Sequence, residues 1–496
     1  MRPDILKKAA ESTFWTQYRL HPTIPSVLAA GERFALRIDA IGPDKLPFDR
    51  YSRPLRLQGS AGIDGLPATA AFAPGSSELV IEGLTATGPS PISITVLPEG
   101  CPQAAPTNPA WVMKEPPWRI FWGDLHVHTT YSNCSPWACK DPEFCYEYAR
   151  GPGHLDFAAA ADHLRGIASD PARWPRLQEL VRLYDESGRF VPILAFESSH
   201  KTGFGGDINA YLFDSTAPYF WTDRDDMRGI NPAVTLRQLW EFLDGCGTRY
   251  FTVPHHTGRA GKCRSFADPA YDNAREPLFE IYSSWGSSES RVSRYPLSGG
   301  NSDLPCYFQD ALRAGCRYGV IGSSDDHQTL PGWECLKGRP ACQPRLAGYN
   351  HHGLAAVRAP ALTRESLWEA LVARRCYATT FSRTLLDFRV GDARMGEAVA
   401  LSPSDALRRR RDFHVVAAST DPGRMRVTLN CNGADIASAA YDPALPELTL
   451  ADERPLDEIA LRNAPFHPAP FAVYYVRVEN VEGQTQWSSP IWVDLE

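Results

Sequence analysis

Residues 119–128 read RIFWGDLHVH, an apolar run that ends in Asp124, His126 and His128. In an extended strand alternate side chains share one side, so the two imidazoles can reach a common ion. The same pattern of apolar run and polar ending recurs along the middle of the chain. LDFAAAADH ends at His163, VPILAFE at Glu197, YFTVPHH at His255 and His256, and YGVIGSSDDH at Asp325, Asp326 and His327. With INAYLF and LFEIYSS, that makes seven runs. Near-continuous apolar runs mark strands of a parallel sheet buried on both faces. Helical patterns lie between some of them. Leu236, Leu239, Trp240 and Leu243 form a stripe behind Thr235, a candidate N-cap, and Thr363 opens RESLWEALVARR with Leu367/Leu371 and Trp368/Val372 at i,i+4. Strand–helix alternation predicts an α/β class, as a barrel or an open parallel sheet.

Outside this core the pattern changes. From about 20 to 115, ERFALRIDAIG, ELVIEGL and ISITVLPEG are short and separated by Pro- and Gly-rich turns. After about 386, LLDFRV, FHVVAAS, RMRVTLNCNG, FAVYYVRVEN and SSPIWVDL are again short, β-branched or aromatic. Both flanks predict β-sandwich-like regions. The expected organisation is therefore 1–117, a central domain at 118–385, and 386–496.

Composition sets outer limits. The 51 basic and 58 acidic side chains of this 496-residue chain give a net charge of −7, which argues against a general nucleic-acid or anionic-membrane binder. No apolar run of spanning or signal-peptide length is present, and the twelve cysteines contain no CxxC pair. The expectation is a soluble, cytoplasmic protein with mostly reduced thiols and a small-molecule, anionic substrate.

Ten of the thirteen histidines fall between His126 and His352. Their positions matter more than their number. His126, His163, Glu197, His255, Asp325 and His327 all stand at or just past the end of an apolar run, where parallel α/β folds gather catalytic groups. Each buried imidazole or carboxylate would otherwise need its own partner, and a metal ion supplies one. Asp325 and His327 repeat the i,i+2 logic of His126 and His128. The donors outnumber the needs of one four-coordinate ion, so two or three divalent ions (Zn, Mn or Fe) are expected.

GDLHVHTTYS, LDFAAAADH, PHH and GSSDDH, in this order, resemble the motifs of the polymerase-and-histidinol-phosphatase (PHP) metallohydrolases. FCYEYARGPGHLDFAAAADH, FEIYSSWGSSE, VIGSSDDHQTLPG and LTRESLWEALVARRCYATT resemble more narrowly the PHP-related family DUF3604, over about 118–385. The resemblance implies a distorted seven-stranded β/α barrel with a trinuclear metal site. It implies that His126 and His128 bind a first metal with Asp325, that Glu197 bridges to a second held by His255, and that His163 and His327 hold a third. Two positions depart from the pattern. Cys134 follows the HxHT motif where an acidic or histidine ligand is usual, and a thiolate there favours zinc. Asp207 stands where histidine is often found.

Around these ligands, Arg165 is a candidate contact for a substrate anion, with a structural ion pair as the alternative. Arg259, Lys262 and Arg264 form a basic loop that can grip phosphate. His256 is a candidate proton shuttle, and Asp326 a candidate ligand-orienting group or proton acceptor. Tyr282, Ser284 and Glu289 are candidate pocket residues. The expected activity is hydrolysis of phosphomonoesters or phosphodiesters by a metal-activated hydroxide. The rivals are an amidohydrolase-like C–N or carboxylic-ester hydrolase and a non-catalytic, metal-stabilised binding protein. No GxSxG elbow is present, and no lysine ends a central run to carry a carbamate bridge.

Overall fold

The structure is a computed structural model that describes residues 19–101, 104–134, 139–200, 205–219, 235–267, 271–300, 303–332, 352–420, 423–442, 447–480 and 483–496. The chain divides into two compact units, one of residues up to Ile120 with Arg383–Leu385 and Ala418–Asp421, the other of the remainder. In the first unit, Arg33–Ile41 turns Phe34, Leu36 and Ile38 inward, and Ile94–Pro98 does the same with Ile94 and Val96. Period-two alternation of this kind makes one face of each strand apolar. Two four-stranded antiparallel sheets share the resulting core, which includes Leu36, Ile38, Leu55, Leu57, Ile94 and Val96.

Each of the seven apolar runs contains a strand, all in the second unit but for the first two residues of β1: β1 (Arg119–Val127), β2 (Phe157–Ala160), β3 (Leu194–Ser199), β4 (Asp207–Leu212), β5 (Tyr250–Pro254), β6 (Leu278–Ser283) and β7 (Gly319–Gly322). They do not form the expected seven-stranded β/α barrel. β1 and β2 are parallel neighbours, β3, β4 and β5 form an antiparallel sheet, and β6 pairs in parallel with β7. Among the described residues strand makes up 41% and helix 14%, and the strands close no barrel. Connection length is the physical reason at β3 and β4. A parallel crossover needs about a dozen residues or more, and the short connection 200–206 permits only an antiparallel return.

The three groups of strands nevertheless share one core, with Leu125, Phe157, Val253, Leu278, Ile321 and Trp368 among its members. At Gly123 any side chain would strike the Phe157 ring, so glycine lets β1 and β2 lie side by side. β1 belongs to an 11-stranded sheet that continues through Leu354–Ala359, Cys376–Thr379, Thr485–Ser488, Phe471–Asn480, Met425–Cys431 and Ala434–Tyr441. Strands from beyond residue 386 thus extend the sheet that carries His126.

The two expected helices form. Thr235 caps Leu236–Gly245 in a capping box with Gln238, and Thr363 caps Arg364–Val372 through the Ser366 N–H. Cys263 and Cys306 are joined in a disulfide, while the other described cysteines are free. Among the described residues no helix is long and apolar enough to cross a membrane.

Candidate metal centre

The site begins with the alternation of β1. Leu125 enters the core, which places His126 and His128 together on the other side of the strand. The Asp325–His327 segment docks on the end of β1 through two backbone bonds, Asp325 N–H to His126 O (2.8 Å) and His128 N–H to Asp326 O (2.9 Å). A single parallel bridge joins His163 to Glu197, and the Glu197 N–H donates to Asp162 O at 2.9 Å. His255 N–H donates to Asp207 O at 3.2 Å, which seats the end of β5 against the start of β4. Strand ends from separate sheets are thus brought to one place.

Their side chains converge on two carboxylates. Asp325 lies 3.0 Å from His128 Nε2, 3.6 Å from His126 Nε2 and 3.4 Å from His256 Nε2. Glu197 contacts His163 Nδ1 and lies 3.2 Å from His255 Nε2 and 3.6 Å from His128 Nε2. Four overlapping groups have donor atoms within 4.8 Å of one another: His128, Cys134, His163 and His327; His126, His255 and Asp325; His126, His128 and Glu197; and Glu197, His255 and His256. Eight of the nine residues named as metal ligands from sequence fall in these groups.

Buried polar atoms normally have partners. Here His126 Nε2, both ring nitrogens of His255 and His256 Nδ1 have no well-aligned hydrogen-bond partner among the described residues. His256 and Asp325 also hold left-handed backbone, at φ +29° and +49°. Such conformations cost energy in non-glycine residues and concentrate at functional sites. Unfilled nitrogen donors facing carboxylates, with strained backbone at His256 and Asp325, fit divalent transition ions, and Cys134 adds a soft donor to the histidine-rich group.

The electrostatics have the same origin. Burial lowers the pKa of His126, but Asp325, Glu280 and Glu197 outweigh it and raise the value to about 10. Burial likewise opposes the rise at His163, where Glu197 and Cys134 bring the value up to about 10. His128 is pushed down to about 4 by burial and by His327 and His163, and His256 to about 4 by burial and His255. Asp325 and Glu197 stay well below the usual carboxylate range despite their burial, because imidazoles surround them. A hydrogen bond from Cys139, with His163 and His327 nearby, holds the Cys134 thiol far below its ordinary value.

Two orienting interactions escaped the sequence reading. Glu280, from β6, accepts from His126 Nδ1 at 3.0 Å and leaves Nε2 to face Asp325. Ser132 Oγ lies 2.8 Å from His128 Nδ1 and donates to Asp162 at 2.5 Å, which turns His128 Nε2 toward Asp325. Carboxylate–histidine pairs of this kind fix tautomer and ring orientation in metal sites. Glu280 is the one acidic residue inside the LFEIYSS run, and that charge among apolar neighbours was its signal. Ser132 stands three residues past Thr129, the end of the HxHT segment, and that proximity was the available clue.

Other sequence candidates fall outside the donor groups. Asp207 lies 3.1 Å from Lys262 Nζ and 3.4 Å from His256 Nδ1, and neither of its carboxylate oxygens has an aligned hydrogen bond among the described residues. Asp326 accepts from the Leu330 N–H at 2.7 Å and shapes the turn after β7. Arg165 is half-buried on the short helix Leu164–Ala168 and makes no ion pair among the described residues. Tyr282 packs in a core against Trp487, and Glu289 accepts from Tyr475, Arg477 and Trp487. His351, part of an unassigned histidine pair, lies outside the described residues.

No protein-family model matches the chain. It is similar to uncharacterized proteins of Chlamydia. The Chlamydia muridarum protein is 31% identical over 383 residues, 76% of this chain and 58% of that protein. The Chlamydia pneumoniae protein is 27% identical over 380 residues, 76% of this chain and 57% of that protein. This chain therefore spans less than two thirds of the length of these curated relatives. Among solved structures, dimeric latent PorU of Porphyromonas gingivalis aligns over 97% of this chain and 34% of its own, with 8% identity and a TM-score of 0.15. A Parabacteroides merdae β-glucuronidase aligns over 97% of this chain and 64% of its own, with 9% identity and a TM-score of 0.19. Likeness at that level carries no argument about fold or function.

Proposed function

We propose that the chain is a metal-dependent hydrolase of phosphoesters that holds two or three divalent ions at the ends of β1, β2, β3, β5 and β7. The observation that carries this reading is the convergence of buried imidazoles and carboxylates whose ring nitrogens His126 Nε2 and His255 Nδ1 and Nε2 lack aligned hydrogen bonds. His126, His128, His163, His255, His327, Glu197, Asp325 and Cys134 are the ligands. Divalent ions supply Lewis-acid polarisation, a water acidified toward neutral pH and a clamp for phosphoryl oxygens. Glu280 and Ser132 hold the histidine rings in the ligating orientation. His256, with its value pushed down to about 4, is a neutral imidazole at neutral pH and can accept a proton beside Asp325.

The test is a panel of phosphomonoesters and phosphodiesters offered to metal-loaded wild type and to His126→Ala. Hydrolysis by wild type that falls to background in the variant supports the reading. Equal rates in the two proteins would place the activity elsewhere, and no turnover by metal-loaded wild type would refute phosphoester chemistry.

A further inference from the structure

Three basic side chains follow His256 in the loop HHTGRAGKCRSF, and they are in unequal electrostatic situations. Lys262 is neutralised by Asp207, 3.1 Å away, and also reaches Ser199 Oγ at 3.3 Å. Arg264 is buried and donates to Glu276 at 2.8 Å. Arg259 is different. It makes no ion pair among the described residues, and its guanidinium lies 4.4 Å from the centre of the Trp285 ring. Trp285 in turn lies edge-on to two imidazoles of the metal centre, 6.0 Å from His256 and 6.2 Å from His327 between ring centres. One indole therefore borders both the donor cluster and an uncompensated positive charge.

The position of Arg259 is fixed by its backbone. Its N–H donates to His256 O at 3.0 Å, its carbonyl accepts from Lys262 N–H at 3.2 Å, and it bridges to Gly300. Stacking on an aromatic face leaves the edge of a guanidinium, with its fork of N–H donors, free for a planar or tetrahedral anion. A half-buried arginine with no carboxylate partner retains its full charge for a ligand.

From this geometry we infer that Arg259, braced on Trp285, binds the anionic group of the substrate at the metal centre. The inference rests on the metal-hydrolase reading and adds to it the residue that selects charged substrates over neutral ones. It also separates Arg259 from Lys262 and Arg264, whose charges are already met within the protein.

The experiment is a calorimetric titration of metal-loaded protein with inorganic phosphate, with metal content measured on the same samples. Arg259→Gln is expected to weaken phosphate binding by about tenfold or more, the scale of a lost charge-assisted hydrogen bond. Arg259→Lys should fall between Gln and wild type, and Arg189→Gln, which removes an exposed charge elsewhere, should match wild type. Metal content should be equal in all four. Unchanged phosphate affinity in Arg259→Gln at equal metal content would overturn the inference while leaving the metal centre in place. Phosphate that binds no metal-loaded form would do the same, and metal loss from Arg259→Gln would reassign the residue to holding the site together. A wild type that retains no metal would remove the underlying reading and the inference with it.

Discussion

Arg411 and His126 are both wholly buried in the second unit, each beside a carboxylate, yet the two surroundings differ in one respect. The Arg411 guanidinium donates to Tyr474 Oη (3.0 Å), Leu407 O (2.7 Å) and Arg454 O (2.6 Å), and lies 3.4 Å from Asp452. Asp452 also accepts from Tyr474 and Arg454. Every polar atom of that cluster finds a partner within the protein. Around His126 the carboxylates are as close, but ring nitrogens remain unmatched and two residues hold left-handed backbone. Buried charge that is fully hydrogen-bonded is structural, while buried charge left incomplete points to something that completes it.

The contrast can be broken by substitution. Arg411→Met should cost about 3–5 kcal/mol of stability in urea unfolding, because it leaves Tyr474 Oη, Leu407 O and Arg454 O without their guanidinium donor, and should leave metal content unchanged. A loss under about 1 kcal/mol would show that the satisfied cluster is not structural in this sense. Metal removal should act on the other cluster alone. Chelation should destabilise the protein by about 2.7 kcal/mol at a starting ion concentration a hundredfold above Kd, and an unchanged Tm would count against a bound ion.

The two clusters should also diverge with pH. His126 and His163 have metal-free values of about 10, above the ordinary value near 6.5, so their contribution is complete below that value and is lost as pH rises toward about 10. Metal-free protein should therefore weaken between about pH 7 and 10, and metal affinity should rise over the same interval because ligation displaces those protons. Asp452 is held down to about 2 despite its burial, by Arg454 and Tyr474, so its contribution is present above its ordinary value of 3.8 and fades as pH falls toward about 2. Unfolding titrations with and without chelator separate the two limbs. An alkaline limb that is identical in both would contradict the assignment of His126 and His163.

Smaller effects probe the orienting groups. Glu280→Gln and Ser132→Ala should each weaken metal binding about 10–100-fold without loss of fold, and wild-type affinity in both would make these contacts incidental. Cys134→Ser should change metal stoichiometry more than Cys376→Ser, whose thiol is buried beside Ser489. Indistinguishable stoichiometry would remove Cys134 from the ligand set.

Much of the candidate site was legible in the sequence because strand ends are marked twice, by the apolar run and by the polar residue that stops it. His126, His128, His163, Glu197, His255, Asp325 and His327 all carried that mark. The pairing of the strands carried no such mark. An apolar run reports burial on both faces, and β3, β4 and β5 are as buried in an antiparallel sheet as they would be in a parallel barrel. The short connection 200–206 was the available hint, since it leaves no room for a crossover helix. Glu280 was obscured for a related reason, as one carboxylate within an apolar strand shows its partner only once the fold brings it within 3.0 Å of His126 Nδ1. The Cys263–Cys306 bond joins positions 43 residues apart with no recognisable spacing.

Metal held by the unmatched donors around Asp325 and Glu197 is what the proposed function requires. Its most direct test is elemental analysis of purified, gel-filtered protein, with wild type and His126→Ala measured side by side. Two or more equivalents of divalent transition metal per wild-type chain are expected, with a clear loss in the variant. Less than one equivalent in wild type, after reconstitution with zinc or manganese, would contradict it.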